Sequence, residues 1–121
     1  MKKQILIVDD STSVREVVKM TLVEAGYEVI EAVDGQDGLE KLDGKKFNLI
    51  ISDVNMPRMG GLEMVKSIRA MHNYKFIPIV MLTTEMSNEM KQKGKAVGAQ
   101  AWMTKPFKSA ELIHAVNLLT Q

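Results

Sequence analysis

Five short apolar runs recur along the chain, at Ile5–Val8, Val29–Ala32, Leu49–Ser52, Ile79–Leu82 and Ala101–Thr104. Each is continuous rather than alternating, the pattern of parallel strands covered on both faces. Between the runs the period lengthens. Val14, Val17, Val18, Leu22 and Ala25 fall at i, i+3, i+4, i+8 and i+11, one stripe of a helix. Ser13 and Glu16 have the spacing of a capping box at its start, and Gly26 supplies its stop. Leu112, Ala115, Val116 and Leu119 repeat the stripe in the last segment. Asp34-Gly35 and Asp43-Gly44 bracket a short helix over about 36–42. A weaker helix over about 87–97 contains Gly94 and ends at Gly98. Its poor propensity marks it as one of the more mobile elements.

Strand and helix alternate five times, which predicts an α/β domain with a doubly wound, five-stranded parallel sheet and helices on both faces. The flavodoxin-like order 2-1-3-4-5 suits so short a chain. No linker or repeat interrupts the pattern, so one domain over 1–121 is expected, with no second output domain.

Composition then removes whole classes of function. The chain is 45% apolar and 26% charged over 121 residues, which supports a packed core. Lys plus Arg number 16 against 15 Asp plus Glu, a net charge of +1, which leaves no broad basic face for nucleic acid. The absence of cysteine excludes disulfides, thiolate zinc sites and cysteine nucleophiles. No apolar run approaches the roughly 18 residues of a membrane span. Two lysines and four apolar residues before Asp9 are too few for a signal peptide. A cytoplasmic protein with neither a membrane nor a nucleic-acid partner is expected.

Ligands of open α/β sheets bind beyond the carboxyl ends of the strands. There the first run is followed by Asp9-Asp10, the third by Asp53, the fourth by Thr83-Thr84-Glu85 and the fifth by Lys105-Pro106-Phe107. Three carboxylates, a hydroxyl and an ammonium are thus expected at one sheet edge. Two such carboxylates 4 Å apart repel by roughly 4 kcal/mol at an effective dielectric of 20. A hard divalent cation relieves that, and Mg²⁺ takes one or two carboxylates while keeping waters. Singly, each residue has a plain reading: Asp9-Asp10 at a helix start, Asp53 in a turn, Thr83 at a strand end, Lys105 in a solvated loop. Coincidence at four strand ends argues against all of these holding together. His72 and His114 share no ligand spacing with the aspartates, and His114 falls opposite the apolar stripe of its helix.

The stretches I-L-I-V-D-D at 5–10, S-D-V-N-M-P-R-M-G-G at 52–61, M-L-T-T at 81–84 and T-K-P-F at 104–107 resemble the receiver domains of two-component signalling. The nearest resemblance is to single-domain chemotaxis response regulators of the CheY type. It implies that Asp53 accepts a phosphoryl group from a phosphohistidine on a partner kinase. It implies that Asp10, Asp53 and the backbone carbonyl of Asn55 hold Mg²⁺, with Asp9 acting mainly through water. Lys105 would bind phosphoryl oxygens, and Thr83 would hydrogen-bond one of them after transfer. Asn55 and Glu85 would tune how long the phosphoryl group lasts. A cis Lys105–Pro106 bond is also implied. Trp102, three residues before Lys105, takes the place of the family's aromatic switch. As Thr83 moves toward the phosphoryl group, Trp102 would turn from the surface into the vacated space. Met86, Met90 and Met103 would lie on or near the output surface built from the fourth helix, fifth strand and fifth helix.

Two positions depart from the common pattern. Gly60 stands where the family often has Asp or Asn, which bears on how that loop is held. Thr84 stands where a smaller residue is usual, which bears on access to the acyl phosphate. The implied partners are a histidine kinase, a flagellar motor switch protein and a phosphatase, with the protein a monomer. Within this class a phosphate sink or a phosphotransfer shuttle is the alternative output. A haloacid-dehalogenase-type phosphohydrolase needs D-x-D-x-T, whereas Asp9-Asp10-Ser11-Thr12 stands here. A dinucleotide-binding protein needs G-x-G-x-x-G, which is missing. A receiver-like module that is never phosphorylated would have lost an acidic residue or the lysine, and none is lost.

Overall fold

The computed structural model describes residues 2–84 and 88–121. Glu85 and Met86 lie outside the described residues, as does the side chain of Met90. The strands are β1 (Gln4–Val8), β2 (Glu28–Ala32), β3 (Leu49–Asp53), β4 (Ile79–Thr83) and β5 (Ala101–Thr104). The helices are α1 (Thr12–Glu24), α2 (Gly35–Leu42), α3 (Gly61–Arg69), α4 (Asn88–Val97) and α5 (Ser109–Leu119). All strand pairs are parallel and the order is β2-β1-β3-β4-β5, as expected. The apolar pattern sets no limits for α3, and a short 3-10 turn, His72–Tyr74, follows it.

The continuous apolar runs resolve into two cores by simple alternation along each strand. Ile5, Ile7, Leu49, Ile51, Val80 and Leu82 face Val18 and Leu22 of α1 and Leu112 and Val116 of α5. Leu6, Val8, Ile50, Ile79 and Met81 face Leu42 of α2 and Met64, Val65 and Ile68 of α3. β1 beyond Gln4 and β3 before Asp53 are buried throughout, and so is β4, whereas the edge strands β2 and β5 are only partly covered. Continuous apolarity therefore describes the centre of the sheet, and the edges tolerate residues such as Glu31.

Two local expectations change. The cap of α1 is Ser11, not Ser13: the Ser11 hydroxyl accepts from the Val14 amide at 3.3 Å, and the helix begins at Thr12. The Asp9 carboxylate accepts the Ser11 amide at 2.9 Å, which holds Ser11 extended and starts the helix two residues early. Val14 then occupies the third helical position, so no capping box with Glu16 forms. At the other end Gly26 acts as expected. At φ +98° it donates to Val23, and the Tyr27 amide reaches Leu22 at 3.0 Å, a Schellman closure. The second change is at strand ends. β3 and β4 each run one residue further than the apolar pattern, through Asp53 and Thr83, whose register partners are Leu82 and Thr104. The backbone ladder continues past the last apolar side chain, so both polar residues are anchored by the sheet itself.

Candidate functional site

Asp9, Asp10 and Asp53 converge at the carboxyl edge of the sheet, one carboxylate oxygen from each lying within 4.8 Å of the others. Asp9 is buried, Asp53 is half-buried and Asp10 is exposed. The cluster therefore opens to solvent on one side only. Asp53 is held by the end of β3, and its Oδ1 accepts the Val54 amide at 2.8 Å. Gly61, the first residue of α3, passes directly beneath it. A Cβ at Gly61 would lie 2.1 Å from the Asp53 carbonyl oxygen. The Gly61 amide also donates to Val54 O at 2.8 Å. In the sequence Gly61 is only one residue of the 52–61 stretch, and this close approach is visible only in three dimensions.

Lys105 enters from the end of β5, its amide donating to Thr83 O at 2.8 Å. Its Nζ donates to Asp9 Oδ2 at 2.8 Å and lies 3.4 Å from Asp53 Oδ1. The ammonium and both carboxylates are only 3–13% exposed, so little water screens them. Burial pushes the Asp53 carboxyl above the ordinary aspartate range, the nearby Asp9 charge adds to this, and Lys105 opposes it. The site thus strains against ionisation of Asp53. Three hard oxygen donors facing one opening, with a deficit of positive charge, suit a small divalent cation. Thr83, the last residue of β4, is buried. The Lys105–Pro106 bond is cis, as the resemblance implied. Val14, Val17, Pro106 and Phe107 line an apolar cleft of about 480 Å³ that opens beside Lys105 and Thr84.

The remaining candidates are placed as follows. Asn55 is exposed in the loop 54–60 between β3 and α3. Thr84 is exposed just beyond β4. Trp102 is half-buried and packs on the α3 side of the sheet, with its indole ring over Gly94 of α4. Its Nε1 is buried without a hydrogen-bond partner among the described residues. Met103 is partly buried on the opposite face. His72 and His114 are exposed, away from the cluster of aspartates. Asp34, expected only as the turn that opens α2, and Arg58, expected only as part of the 52–61 stretch, form a bidentate pair that ties the loop 54–60 to that turn. An arginine three residues before a helix carries no spacing signal that would have revealed the pair.

Comparison with known proteins extends this picture. Residues 5–117 match the family described as response regulator receiver domain. The chain is 42% identical over 106 residues to the chemotaxis protein CheY1 of Helicobacter pylori, covering 86% of each protein. It is 38% identical over 112 residues to the alkaline phosphatase synthesis transcriptional regulatory protein PhoP of Bacillus subtilis. That match covers 93% of this chain and 46% of PhoP, so the chain spans about half the length of that relative. Among solved structures, the chemotaxis protein CheY4 of Vibrio cholerae superposes with a TM-score of 0.94 at 50% identity, covering 98% of this chain and 99% of CheY4. Matched from its first strand into its last helix, and half identical to a solved protein over nearly the whole of both, the chain belongs to the response regulator receiver domain family.

Proposed function

We propose that this receiver domain is a phosphorylation-activated switch of a two-component system, and that Asp53 is its phosphoacceptor. The observation that carries the reading is the convergence of Asp53 with Asp9 and Asp10 within 4.8 Å and with Lys105 at 3.4 Å. An Asp53 oxygen attacks phosphorus, an acyl phosphate bond forms, and the donor imidazole leaves with the P–N electron pair. Asp10, Asp53 and the Asn55 carbonyl would hold Mg²⁺, with Asp9 acting through water; the ion would supply positive charge to the phosphoryl oxygens. Lys105 releases part of its hold on Asp9 and neutralises a phosphoryl oxygen in turn. Water later cleaves the P–O bond, returning the carboxylate and inorganic phosphate, with Asn55 and Glu85 tuning that rate. The protein is consumed and restored once per signal, which makes it a switch rather than a turnover enzyme.

The output runs from Thr83, which moves toward the phosphoryl group, to Trp102 on the edge strand. Such a device needs a bistable element biased by a local charge change. A histidine kinase of a chemotaxis system is the donor, and a flagellar motor switch protein and a phosphatase are the further partners. Likeness to the two chemotaxis proteins supports this assignment over a phosphate sink or shuttle. The protein acts as a cytoplasmic monomer; among the described residues no helix is long and apolar enough to cross a membrane.

Labelling with a small acyl phosphate and Mg²⁺ tests the reading. One phosphoryl group should be incorporated, and Asp53→Ala should abolish it. The label should be lost at neutral pH without a phosphatase. Full labelling of Asp53→Ala would overturn the assignment, and a label stable for days would contradict the roles of Asn55 and Glu85.

A further inference from the structure

The loop between β3 and α3 is built unusually for a segment that must hold a ligand atom still. Gly60 is the residue that caps α3, and it has no side chain with which to do so. Arg58 adopts φ +62°, a left-handed conformation that a residue with a Cβ takes only when its surroundings impose it. The imposing contact lies across the fold, at the turn between β2 and α2. Arg58 Nε donates to Asp34 Oδ2 at 2.6 Å and Nη2 to Asp34 Oδ1 at 3.0 Å.

Exposed ion pairs contribute little in general, but this one has a rigid half. The Asp34 side chain is 4% exposed, whereas that of Arg58 is 59% exposed. Asp34 is itself immobilised as the cap of α2, accepting the Asp37 amide at 2.8 Å. The planar fork of Arg58 therefore grips a carboxylate that cannot move with it. The next residue repeats the attachment: the Gly35 amide donates to Met59 O at 2.9 Å. A Cβ at Gly35 would meet the Met59 side chain and carbonyl at 2.7 Å, so the two segments touch. At its other end the loop is tied by Val54, which is buried and whose carbonyl accepts the Gly61 amide. Only Asn55, Met56 and Pro57 span the interval between the two anchors.

We propose that Arg58, acting through Asp34, is a positioning residue for the cation site: the pair fixes the loop from behind and so holds the Asn55 carbonyl where Mg²⁺ needs it. This rests on the proposed function above, in which that carbonyl is a ligand. Magnesium demands near-ideal octahedral geometry, so a carbonyl that wanders weakens binding. Groups that orient metal ligands typically change affinity by roughly 10–100-fold when removed. The lower end applies here, because one ligand of several is affected.

The test is the Mg²⁺ dissociation constant by isothermal titration calorimetry for the parent, Arg58→Ala, Asp34→Asn, the double variant and Arg58→Lys. Melting temperature in EDTA separates damage to the fold from damage to the site. Arg58→Ala and Asp34→Asn should each weaken Mg²⁺ binding about tenfold. The double variant should be no weaker than either single one, because the pair acts as a unit. Arg58→Lys, which keeps charge but loses the fork, should fall between. Asp34→Asn retains an oxygen for the α2 cap and carries the test even if Arg58→Ala folds poorly. Mg²⁺ affinities within twofold of the parent, with or without a lowered melting temperature, would overturn the proposal and leave the pair a structural brace. A parent protein that binds no Mg²⁺ would instead overturn the metal reading on which it rests.

Discussion

At the scale of single residues, the site is a set of charges whose positions satisfy chemistry at the expense of the resting fold. Burial and the Asp9 charge raise the Asp53 carboxyl above its ordinary value of 3.8. A carboxyl that binds its proton more tightly folded than unfolded loses stability for the fold as pH rises above the unfolded value. In EDTA, Asp53→Asn should therefore melt a few degrees above the parent at pH 7. The difference should shrink as pH falls below that value, where both forms are neutral. Saturating Mg²⁺ should reverse it, because only the parent keeps a full ligand set. Equal melting curves at neutral pH in EDTA would show that Lys105 fully offsets the repulsion.

At the scale of elements, small local contacts decide where helices start and what they can pack against. Ser11 caps α1, whereas Ser13 already lies in its first turn. Ser11→Ala should cost about 1 kcal/mol in urea denaturation, and Ser13→Ala only a few tenths. Comparable losses would restore the capping role to Ser13. On the other side of the sheet, α4 approaches β5 through Gly94. A Cβ there would lie 1.9 Å from the Trp102 ring, so alanine is incompatible with the ring's present place. Gly94→Ala also raises intrinsic helix propensity by about 1 kcal/mol, so the helix itself should persist. The sole tryptophan makes the outcome readable. Iodide should quench the indole emission of Gly94→Ala more strongly than that of the parent. Unchanged quenching would mean that α4 shifts and the ring stays.

For the whole molecule, the proposed function puts metal, phosphoryl group and output into one linked equilibrium. The aspartates come together only in the folded chain, so Mg²⁺ should raise the melting temperature by mass action. At ten times its dissociation constant the gain is about 1.4 kcal/mol. Asp10→Ala should abolish that gain. Beryllofluoride with Mg²⁺, a stand-in for the phosphoryl group, should alter Trp102 emission in the parent and leave only a small metal effect in Asp53→Ala. Thr83→Ala should shrink the response even where beryllofluoride binds, since a switch moves by population. A parent whose emission ignores beryllofluoride would break the link between the acidic edge and β5.

Much of this molecule is determined locally and is legible in the order of its residues. Apolar runs near 5, 49 and 79 specify buried parallel strands and those near 29 and 101 the partly covered edges, and Gly26 and Gly98, at φ +98° and +101°, close helices wherever they fall. Because strands of one parallel sheet point the same way, Asp9, Asp53, Thr83 and Lys105 had to arrive at one edge. What the order of residues could not decide were outcomes of competition among contacts, most of them between segments far apart in the chain. Asp9 takes the Ser11 amide and moves the start of α1. Asp34 reaches Arg58, 24 residues away, and ties down the loop that leads into α3. Gly61 lies under Asp53, and Gly94 makes room for Trp102. Periodicity reports which face of an element is apolar. It carries no information on which side chain occupies a shared space, because that depends on the packing of surfaces brought together only when the sheet closes under its helices.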